Sequence, residues 1–479
     1  MTRKKEKETN KTHGRIYTPA YVVDNILDFA SYRGENVIKK HVIDNSCGDG
    51  AFLTRIITEY CESFLKLSND KNELKHQLEL YIHGIELDRI ESELCKNNLR
   101  TAALRYGIKD YDPDVICGDT LTISKFDGMM DFVLGNPPYV RVHNLGDSYS
   151  KIKEFRFSDG GMTDLYIAFY EIGLRMLSQN GILSYIAPSS WFTSVAGAQM
   201  RKYFEENKSI KSLCDLKHFQ PFNATTYTCI LTLTKIENDS FAFFLYDDKN
   251  HRPVYLTELT YKDINIDGGF YFAKKNELSV LKKIMNCFYL RDDAEVKNGF
   301  ATLCDSVYIA EKFPFHSKYI IPVYKASTAQ WKQCIFPYEQ SKVISLEKME
   351  ADRKLSDYLI QFREELENRS LDKKASWFSF GRTQGINDVN KEKIAINALL
   401  RDVNDIKVEI IKPGSGVYSG LYILSSFSLE KIIAYIKTEE FVSYISLLGK
   451  YKSGGYYTFS SKDMKRFLKY KISEERKNG

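Results

Sequence analysis

Clustered cysteines are absent from this chain of 479 residues, since none of its nine cysteines lies close in sequence to another. The closest pair is Cys47 and Cys61, and there is no C-x-x-C motif and no cluster of cysteine with histidine. This spacing argues against a zinc site and against a disulfide framework. We therefore expect free thiols, no bound metal and a reducing, cytoplasmic compartment.

Long apolar runs are also missing, since none approaches the roughly 18–20 residues needed to cross a bilayer. The first residues, MTRKKEKETNKTHGR, carry charges with no apolar stretch behind them, so we expect a solvated leader rather than a secretory signal. The formal net charge is only +5, which permits nucleic acid as a partner without requiring it. The composition, 43% hydrophobic and 27% charged, is typical of a soluble globular protein, and the length predicts two or three domains.

Strand-like and helix-like segments alternate through the first half of the chain. The predicted strands are 41–44, 80–85, 115–117, 131–134, 182–187, 210–216 and 227–236. The predicted helices are 51–67, 89–106 and 163–177, the last ending at an Asn-Gly pair at 180–181. This alternation predicts an α/β fold, with a parallel sheet covered by helices on both faces. Helix content falls after about residue 245, which predicts two domains, 14–245 and 250–479.

Each of the first three predicted strands delivers an acidic residue to its end: Asp44, Glu86 and Asp119. The loop DNSCGDGAF (44–52) follows the first strand, and Gly48 and Gly50 allow it to bend tightly around a ligand. An acid at the second strand tip suits ribose hydroxyls, and one at the third suits the amino group of adenine. Each acid alone has an ordinary interpretation as a solvated cap. Together, at the edge where open α/β folds bind ligands, they predict a site for an adenosine-containing cofactor.

Proline is scarce as well, with 11 in the chain, yet two stand side by side in DFVLGNPPYVR (131–141). A tight turn after a strand accounts for Pro137 but gives no role to Pro138 or to the ring of Tyr139. Asn136 offers a side-chain carbonyl, and the locked backbone of Pro137 offers a second acceptor beside it. Two rigid acceptors can bind both hydrogens of an NH₂ group while Tyr139 stacks on the ring that bears it. The motif thus predicts methylation of an amine or amide nitrogen.

In the order YTP, DxxCGDG, ELD, GD and NPPY, the sequence resembles the amino-methylating DNA methyltransferases. With the cofactor motifs before NPPY and a large domain after it, it is similar to the gamma class of adenine-N6 enzymes from type II restriction–modification systems. The resemblance implies a Rossmann-like, seven-stranded, mostly parallel methyltransferase sheet. It also implies a second, mixed α+β domain for DNA recognition, of the TaqI type.

The resemblance further implies S-adenosylmethionine as cofactor and N6 of a flipped adenine in duplex DNA as methyl acceptor. The cofactor-binding residues that it implies are Thr18, Pro19, Asp44, Cys47, Gly48, Gly50, Phe52, Glu86, Leu87, Asp119 and Asn136. It also implies that Asn136 and Pro137 hold the target amine, that Tyr139 stacks on its base, and that Pro138 belongs to the same catalytic motif. Phe222 is expected on the opposite face of the base, with Phe219 as the competing candidate. Thr120 departs from relatives that place an aromatic residue beside the cofactor adenine.

In the second half, residue types suited to DNA occur in loops rich in glycine and aromatic residues. The candidates for DNA recognition are Arg382, Gln384, Lys412, Lys452 and Tyr456. For most of the residues in these loops the ordinary interpretation is a β-turn or a core aromatic. We also expect a monomer, with room for a separately encoded cognate restriction endonuclease as a partner. The alternative function is an NPPY methyltransferase that acts on RNA or on a protein glutamine.

Overall fold

The computed structural model describes residues 18–140, 148–160, 163–222, 226–288, 293–370 and 375–478. The chain forms two compact units, Met1–Ser279 and Val280–Gly479. The division falls later than the expected 245–250, because a further hairpin after residue 239 joins the sheet of the first unit. The functional assignment of two domains stays a prediction.

A nine-stranded sheet forms the centre of the first unit. Its strands are β1 (Val42–Asp44), β2 (Ile82–Glu86), β3 (Asp114–Cys117), β4 (Met130–Gly135), β5 (Leu177–Pro188), β6 (Ile210–Asp215), β7 (Thr228–Thr234), β8 (Ser240–Asp247) and β9 (Arg252–Thr260). They lie in the order β3-β2-β1-β4-β5-β7-β6-β8-β9. The first five in this order are parallel, β7 is antiparallel to both of its neighbours, and β8 and β9 form an antiparallel hairpin. The predicted α/β class is confirmed, and the sheet is wider than the expected seven strands.

Several helices of the first unit pack against this sheet. The helices of the unit are α1 (Ala20–Ala30), α2 (Ala51–Leu65), α3 (Lys71–Tyr81), α4 (Arg89–Leu104), α5 (Ser148–Ile152), α6 (Leu165–Met176), α7 (Ala198–Asn207) and α8 (Tyr261–Ile264), and α9 (Lys275–Met285) begins in this unit and continues past its end at Ser279. In α2, Leu53, Ile57, Tyr60 and Phe64 recur at helical spacing and are all buried. Burying side chains of this kind contributes about 1.5–3 kcal/mol each, which holds the helix on the strands. A small hairpin, β10 (Asn265–Ile266) and β11 (Gly269–Phe270), completes the unit.

The predicted end of a helix at the Asn180-Gly181 pair is wrong. Helix α6 ends at Met176, and the chain enters β5 at Leu177, which pairs with Met130 of β4. A Cβ atom at Gly181 would lie 2.6 Å from the carbonyl oxygen of Met130. The glycine is therefore there to let two strands approach closely.

The second unit consists of several smaller sheets with helices. Its main sheets are β12 (Ala294–Asn298), β22 (Leu421–Ser425), β18 (Lys393–Ile396) and β20 (Val408–Ile411), and β13 (Ile309–Ala310), β15 (Gln330–Ile335), β14 (Ile320–Lys325) and β21 (Gly416–Tyr418). The smaller sheets are β16 (Tyr338–Glu339) with β17 (Lys342–Val343), and β19 (Leu399–Leu400), β24 (Tyr456–Thr458) and β23 (Tyr451–Lys452). The helices are α10 (Asp305–Tyr308), α11 (Leu346–Ala351), α12 (Arg353–Gln361), α13 (Arg363–Glu367), α14 (Leu429–Ile436), α15 (Glu439–Leu447) and α16 (Ser461–Asn478). The expected mixed α+β character is present.

All nine cysteines are free thiols. Among the described residues, no helix is both long enough and apolar enough to cross a bilayer. Within those same ranges, no group of three or more His, Cys, Asp or Glu side chains is arranged to hold a metal ion.

Candidate active site

The loop after β1 turns sharply before α2 begins. Gly50, the residue that precedes the helix, has φ of +90°, a conformation that side chains other than glycine rarely adopt. A Cβ atom there would also lie 2.8 Å from the Sγ of Cys95. At Gly48, with φ of +53°, a Cβ would meet nothing within 4 Å. The loop is thus tightly folded on one side and open at Gly48.

The carboxylate of Glu86, at the end of β2, ties this loop to the neighbouring strand. Its Oε2 accepts a hydrogen bond from the backbone N–H of Gly48 at 2.8 Å, and its Oε1 accepts from the N–H of Asp88 at 2.9 Å. Two backbone donors orient the carboxylate, and each oxygen keeps a lone pair for a further donor. This arrangement suits a carboxylate that receives the hydroxyls of a ribose.

Asp44, the last residue of β1, is almost fully buried, at 1% exposure. Burial raises the pKa of its carboxyl to about 8, although the N–H of Ser46 donates to it at 3.0 Å. A Cβ atom at Gly135 would lie 2.7 Å from Asp44 Oδ1, so β4 can pass here only because position 135 is glycine. The close approach places the start of the NPPY motif directly beside the loop 44–52.

Asp119, at the end of β3, caps the short turn that follows it by accepting from the N–H of Leu121 at 3.0 Å. Its Oδ2 also forms an ion pair with Lys151 Nζ of α5 at 3.0 Å. The next residue, Thr120, donates its hydroxyl to the backbone carbonyl of Asn45 at 2.6 Å. Thr120 thus joins the third strand tip to the first, in place of an aromatic contact.

Asn136 connects the NPPY motif to the start of the described chain. Its Nδ2 donates to the hydroxyl of Thr18 at 3.1 Å, although the two residues are far apart in sequence. Its backbone carbonyl accepts from the hydroxyl of Ser46 at 3.4 Å. The side-chain Oδ1 is buried and has no hydrogen-bond partner within the described structure. A buried acceptor without a donor is costly, so this oxygen is available for a ligand N–H.

The ring of Tyr139 lies next to that of Phe222. Their centroids are 6.2 Å apart in an edge-to-face arrangement, and the hydroxyl of Tyr139 donates to the carbonyl of Ile186 at 3.1 Å. Burial raises the pKa of Tyr139 well above its usual value, so the phenol stays neutral. Phe219 instead stacks on Tyr246, with centroids 4.9 Å apart and planes inclined by 20°. Between the two candidates, only Phe222 contacts Tyr139.

The remaining residues of the expected site surround these groups. Pro19 precedes α1, Phe52 and Cys47 are buried, and Leu87 is 69% exposed beside Glu86. A hydrogen bond with Cys95 and burial raise the pKa of the Cys47 thiol. Pro137 is buried and Pro138 is half-buried. Tyr17 of the YTP motif lies outside the described residues. The structure therefore brings the strand-tip acids, the glycine loop, Thr18 and Asn136 to one edge of the sheet.

The candidates for DNA recognition all lie in the second unit, at different places. Arg382 and Gln384 are exposed on a loop before β18. Lys412 is exposed and pairs with Glu392 at 2.8 Å. Lys452 of β23 is directly opposite Tyr456 of β24, and the Tyr456 ring lies under the guanidinium of Arg401 at 4.4 Å.

Three groups in the site were not expected from the sequence. Asn45 is fully buried, and its Oδ1 accepts from the hydroxyl of Tyr185 at 2.8 Å. Ser46 and Lys151 contact Asn136 and Asp119. The sequence does hint at Asn45 and Ser46, because polar residues that follow a buried strand need hydrogen-bond partners. It gives no such hint for Lys151, because the partner of that lysine is distant in sequence.

This chain is similar in sequence to known restriction-modification methyltransferases. Residues 54–222 match the model of the Eco57I restriction-modification methylase family. The type II methyltransferase M.BstVI of Geobacillus stearothermophilus is 25% identical, over 77% of this chain and 74% of that protein. The type II restriction enzyme and methyltransferase RM.Eco57I of Escherichia coli is 24% identical, over 66% of this chain. The chain spans only 38% of RM.Eco57I and 42% of the type II methyltransferase M.XhoI of Xanthomonas vasicola.

Solved structures share the fold at low identity. The type IIL restriction-modification enzyme MmeI, determined in complex with DNA, is 12% identical with a TM-score of 0.63, over 96% of this chain and 68% of that one. A nuclease-deletion mutant of the type ISP enzyme LlaGI, with a DNA substrate mimic, is 14% identical with a TM-score of 0.55, over 96% of this chain and 47% of that one. The gamma class and the TaqI type of the second domain stay predictions. Residues 54–222 carry the sequence pattern of the Eco57I restriction-modification methylases, on a fold shared with restriction-modification enzymes of known structure.

Proposed function

We propose that this protein transfers a methyl group from S-adenosylmethionine to N6 of an adenine flipped out of duplex DNA. In this proposal it is a site-specific, cytoplasmic DNA methyltransferase and the modification half of a restriction–modification system. The cognate endonuclease is encoded separately, and the enzyme acts as a monomer.

The buried, unpartnered Oδ1 of Asn136 is the observation that carries the proposal. Its Nδ2 is already bound to Thr18, so the amide keeps its carbonyl directed away from that contact. An exocyclic NH₂ group supplies the missing donor. The backbone carbonyl of the buried Pro137 is the second acceptor of the same amine, as the NPPY motif implies.

The strand-tip acids and the glycine loop fit the cofactor by their chemistry. The oriented carboxylate of Glu86 accepts the ribose hydroxyls, and Asp119 accepts the amino group of adenine. The open side of the loop at Gly48 leaves room for the sugar, and the Asp44 carboxyl, whose pKa of about 8 keeps it largely protonated in the free protein, ionises when the cationic part of the molecule lies beside it. When bound, S-adenosylmethionine supplies an electrophilic methyl group on its sulfur.

The chain's own residues position and activate the adenine. Asn136 Oδ1 and the carbonyl of Pro137 accept the two N6 hydrogens, which draws the nitrogen toward a pyramidal form with an available lone pair. The same oxygens stabilise the positive charge that develops on nitrogen during transfer, and one N6 proton then passes to water, which leaves a neutral methylamine on the base. Stacking on Tyr139 and Phe222 offsets the few kcal/mol that it costs to flip a base, since it contributes about 1–3 kcal/mol per base.

Duplex DNA as the substrate is supported by the relatives, which are named as type II methyltransferases or restriction-modification enzymes. It is also supported by the second compact unit, Val280–Gly479, which gives the chain a further folded region beyond the segment that matches the methylase family. A methyltransferase that acts only on RNA or on a protein glutamine shares the NPPY motif, and is the alternative that an experiment must separate.

Transfer of a labelled methyl group to three substrates tests the proposal. The purified chain is incubated with labelled S-adenosylmethionine and with unmethylated genomic DNA, total RNA or cell protein. We expect label in DNA, recovered as N6-methyladenine after digestion, and its loss with Asn136→Ala. Label in RNA or glutamine with none in DNA would replace this proposal by the alternative.

A further inference from the structure

The loop that carries Arg382 and Gln384 has an exposed tip between two buried flanks. Phe380 is 2% exposed and Ile386 is 4% exposed, whereas Arg382, Thr383 and Gln384 between them are all exposed. The flanking residues belong to the core of the second unit. Both ends of the loop are therefore anchored in the core, and only its tip is exposed.

Backbone hydrogen bonds hold the first half of this tip. The N–H of Arg382 donates to the carbonyl of Ala301 at 3.0 Å, and the N–H of Ala301 donates back at 3.3 Å. The N–H of Ile386 donates to the carbonyl of Thr383 at 3.2 Å, which closes a turn over Gln384. The backbone on both sides of each candidate side chain is therefore held.

On the C-terminal side of the tip, the carboxylate of Asp388 is fixed by three donors. Its Oδ2 accepts from Lys297 Nζ at 3.0 Å and from the hydroxyl of Tyr422 at 2.8 Å, and its Oδ1 pairs with Lys391 Nζ at 2.8 Å. Burial alone would raise the pKa of Asp388, but these three partners hold it at about 2. The nearly buried Lys393 adds a bond from its Nζ to the backbone carbonyl of Asp388 at 2.7 Å.

The side chains at the tip are unengaged on this held backbone. Within the described residues, neither the guanidinium of Arg382 nor the amide of Gln384 forms a hydrogen bond or an ion pair. Other cations of the same unit, Lys412 and Arg401, are paired with Glu392 and Asp405. An arginine donates two hydrogen bonds to O6 and N7 of guanine, and a glutamine pairs in the same way with N6 and N7 of adenine. Holding the backbone lowers the entropic cost of such contacts.

We propose that Arg382 and Gln384 read base edges in the major groove of the recognition site, and that Asp388 is the positioning residue for both. This inference rests on the proposed function, because it requires duplex DNA as the substrate. It names the part of the second unit that determines which sequence is methylated. The alternative chemistry for the same side chains, contact with phosphates, would not distinguish one sequence from another.

Mapping of methylated adenines in DNA from a methylation-deficient host tests the base contacts. The host expresses the wild-type chain, Arg382→Ala or Gln384→Ala, with Arg353→Ala and Gln361→Ala as matched controls, since both are exposed on α12. We expect each tip variant to lose discrimination at one base pair of the motif by about 10- to 100-fold, and the controls to keep the motif. If both tip variants keep the wild-type motif, the inference is overturned while the proposed function stands. The same holds if the tip variants lose methylation uniformly at all sequences in a salt-dependent way. A wild-type chain that methylates no DNA overturns the proposed function and this inference with it.

Asp388→Asn and Tyr422→Phe test the positioning role. Both weaken the same network, and Tyr422→Phe keeps the ring and removes only its hydroxyl. We expect them to relax the motif at the base pairs affected by Arg382→Ala or Gln384→Ala, with cofactor affinity unchanged. A lower melting temperature with an unaltered motif in both variants would assign Asp388 a purely structural role.

Discussion

The side-chain amide of Asn136 donates to the hydroxyl of Thr18, and this bond joins the NPPY motif to the segment that precedes α1. The amide nitrogen of Asn136 is thus hydrogen-bonded, whereas its buried Oδ1 has no hydrogen-bond partner within the described chain. The threonine thus orients the acceptor that the proposed reaction needs.

Replacing Thr18 with valine removes this hydroxyl and keeps the shape of the side chain. We expect kcat to fall about 10-fold, because one hydrogen bond of about 1.4 kcal/mol no longer orients Asn136. Steady-state kinetics measures the change, and Thr18→Ser, which keeps the hydroxyl, serves as the control. If the valine variant keeps the kcat of the wild type, Thr18 does not orient Asn136 for the reaction.

Replacing Phe222 with alanine removes the ring that contacts Tyr139. We expect weaker stabilisation of the flipped base, by about 1–3 kcal/mol, measured by fluorescence of 2-aminopurine at the target position. Phe219→Ala is the matched control, because that ring stacks on Tyr246 instead. If Phe219→Ala lowers the signal and Phe222→Ala does not, the stacking role belongs to Phe219.

Replacing Lys151 with alanine frees the carboxylate of Asp119 from its ion pair. If Asp119 accepts the amino group of the cofactor adenine, we expect S-adenosylmethionine to bind several-fold more tightly, because no pair must be broken first. The ion pair is partly exposed and contributes at most about 1 kcal/mol, so the free energy of cofactor binding can improve by no more than that amount. Isothermal calorimetry measures it, with the exposed Lys153 replaced as the control. A weaker affinity in Lys151→Ala would mean that the lysine itself supports the cofactor.

Burial raises the pKa of Asp44 to about 8, well above the value near 3.9 of an unfolded aspartate. The folded state therefore binds this proton more tightly, so the free energy of unfolding falls as pH rises between about 4 and about 8. We expect the melting temperature without cofactor to fall more steeply over this window in the wild type than in Asp44→Asn.

The same shift predicts proton release when the cofactor binds. A cation near Asp44 stabilises the carboxylate, so S-adenosylmethionine should bind more tightly as pH rises toward 8, with net release of protons. Calorimetry in buffers of different ionisation enthalpy measures this release. Binding without proton exchange in the wild type would place the positive charges of the cofactor away from Asp44.

The sheet and the strand-tip acids could be predicted because each depends on local sequence. Apolar runs such as 132–134 form buried strands, and the acid or asparagine after each one reaches the same edge. The fall in helix content predicts a domain boundary near 245–250, but this stretch lies in the β8–β9 hairpin, which extends the sheet without adding a helix. Its place in the sheet depends on pairing with β6, which no local pattern specifies.

The contacts that tune the site could not be predicted from sequence. Lys151 with Asp119, and Thr18 with Asn136, join residues whose distance along the chain says nothing about their distance in space. The Asn-Gly pair at 180–181 predicts a helix end, but in the folded chain Gly181 lets Met130 of the neighbouring strand approach closely. In the second unit, Lys393 reads as an ordinary surface lysine, yet it is buried on three backbone carbonyls.

The most direct test of the central claim compares the methylated bases made by the wild-type chain and by Asn136→Ala. DNA from a methylation-deficient host that expresses each chain is sequenced for N6-methyladenine, and cofactor binding by both purified proteins is measured by calorimetry. We predict N6-methyladenine in one consistent motif for the wild type, and a loss of about 10²-fold or more for Asn136→Ala with cofactor affinity nearly unchanged. DNA without N6-methyladenine in the wild type, or full methylation by Asn136→Ala, would contradict the account.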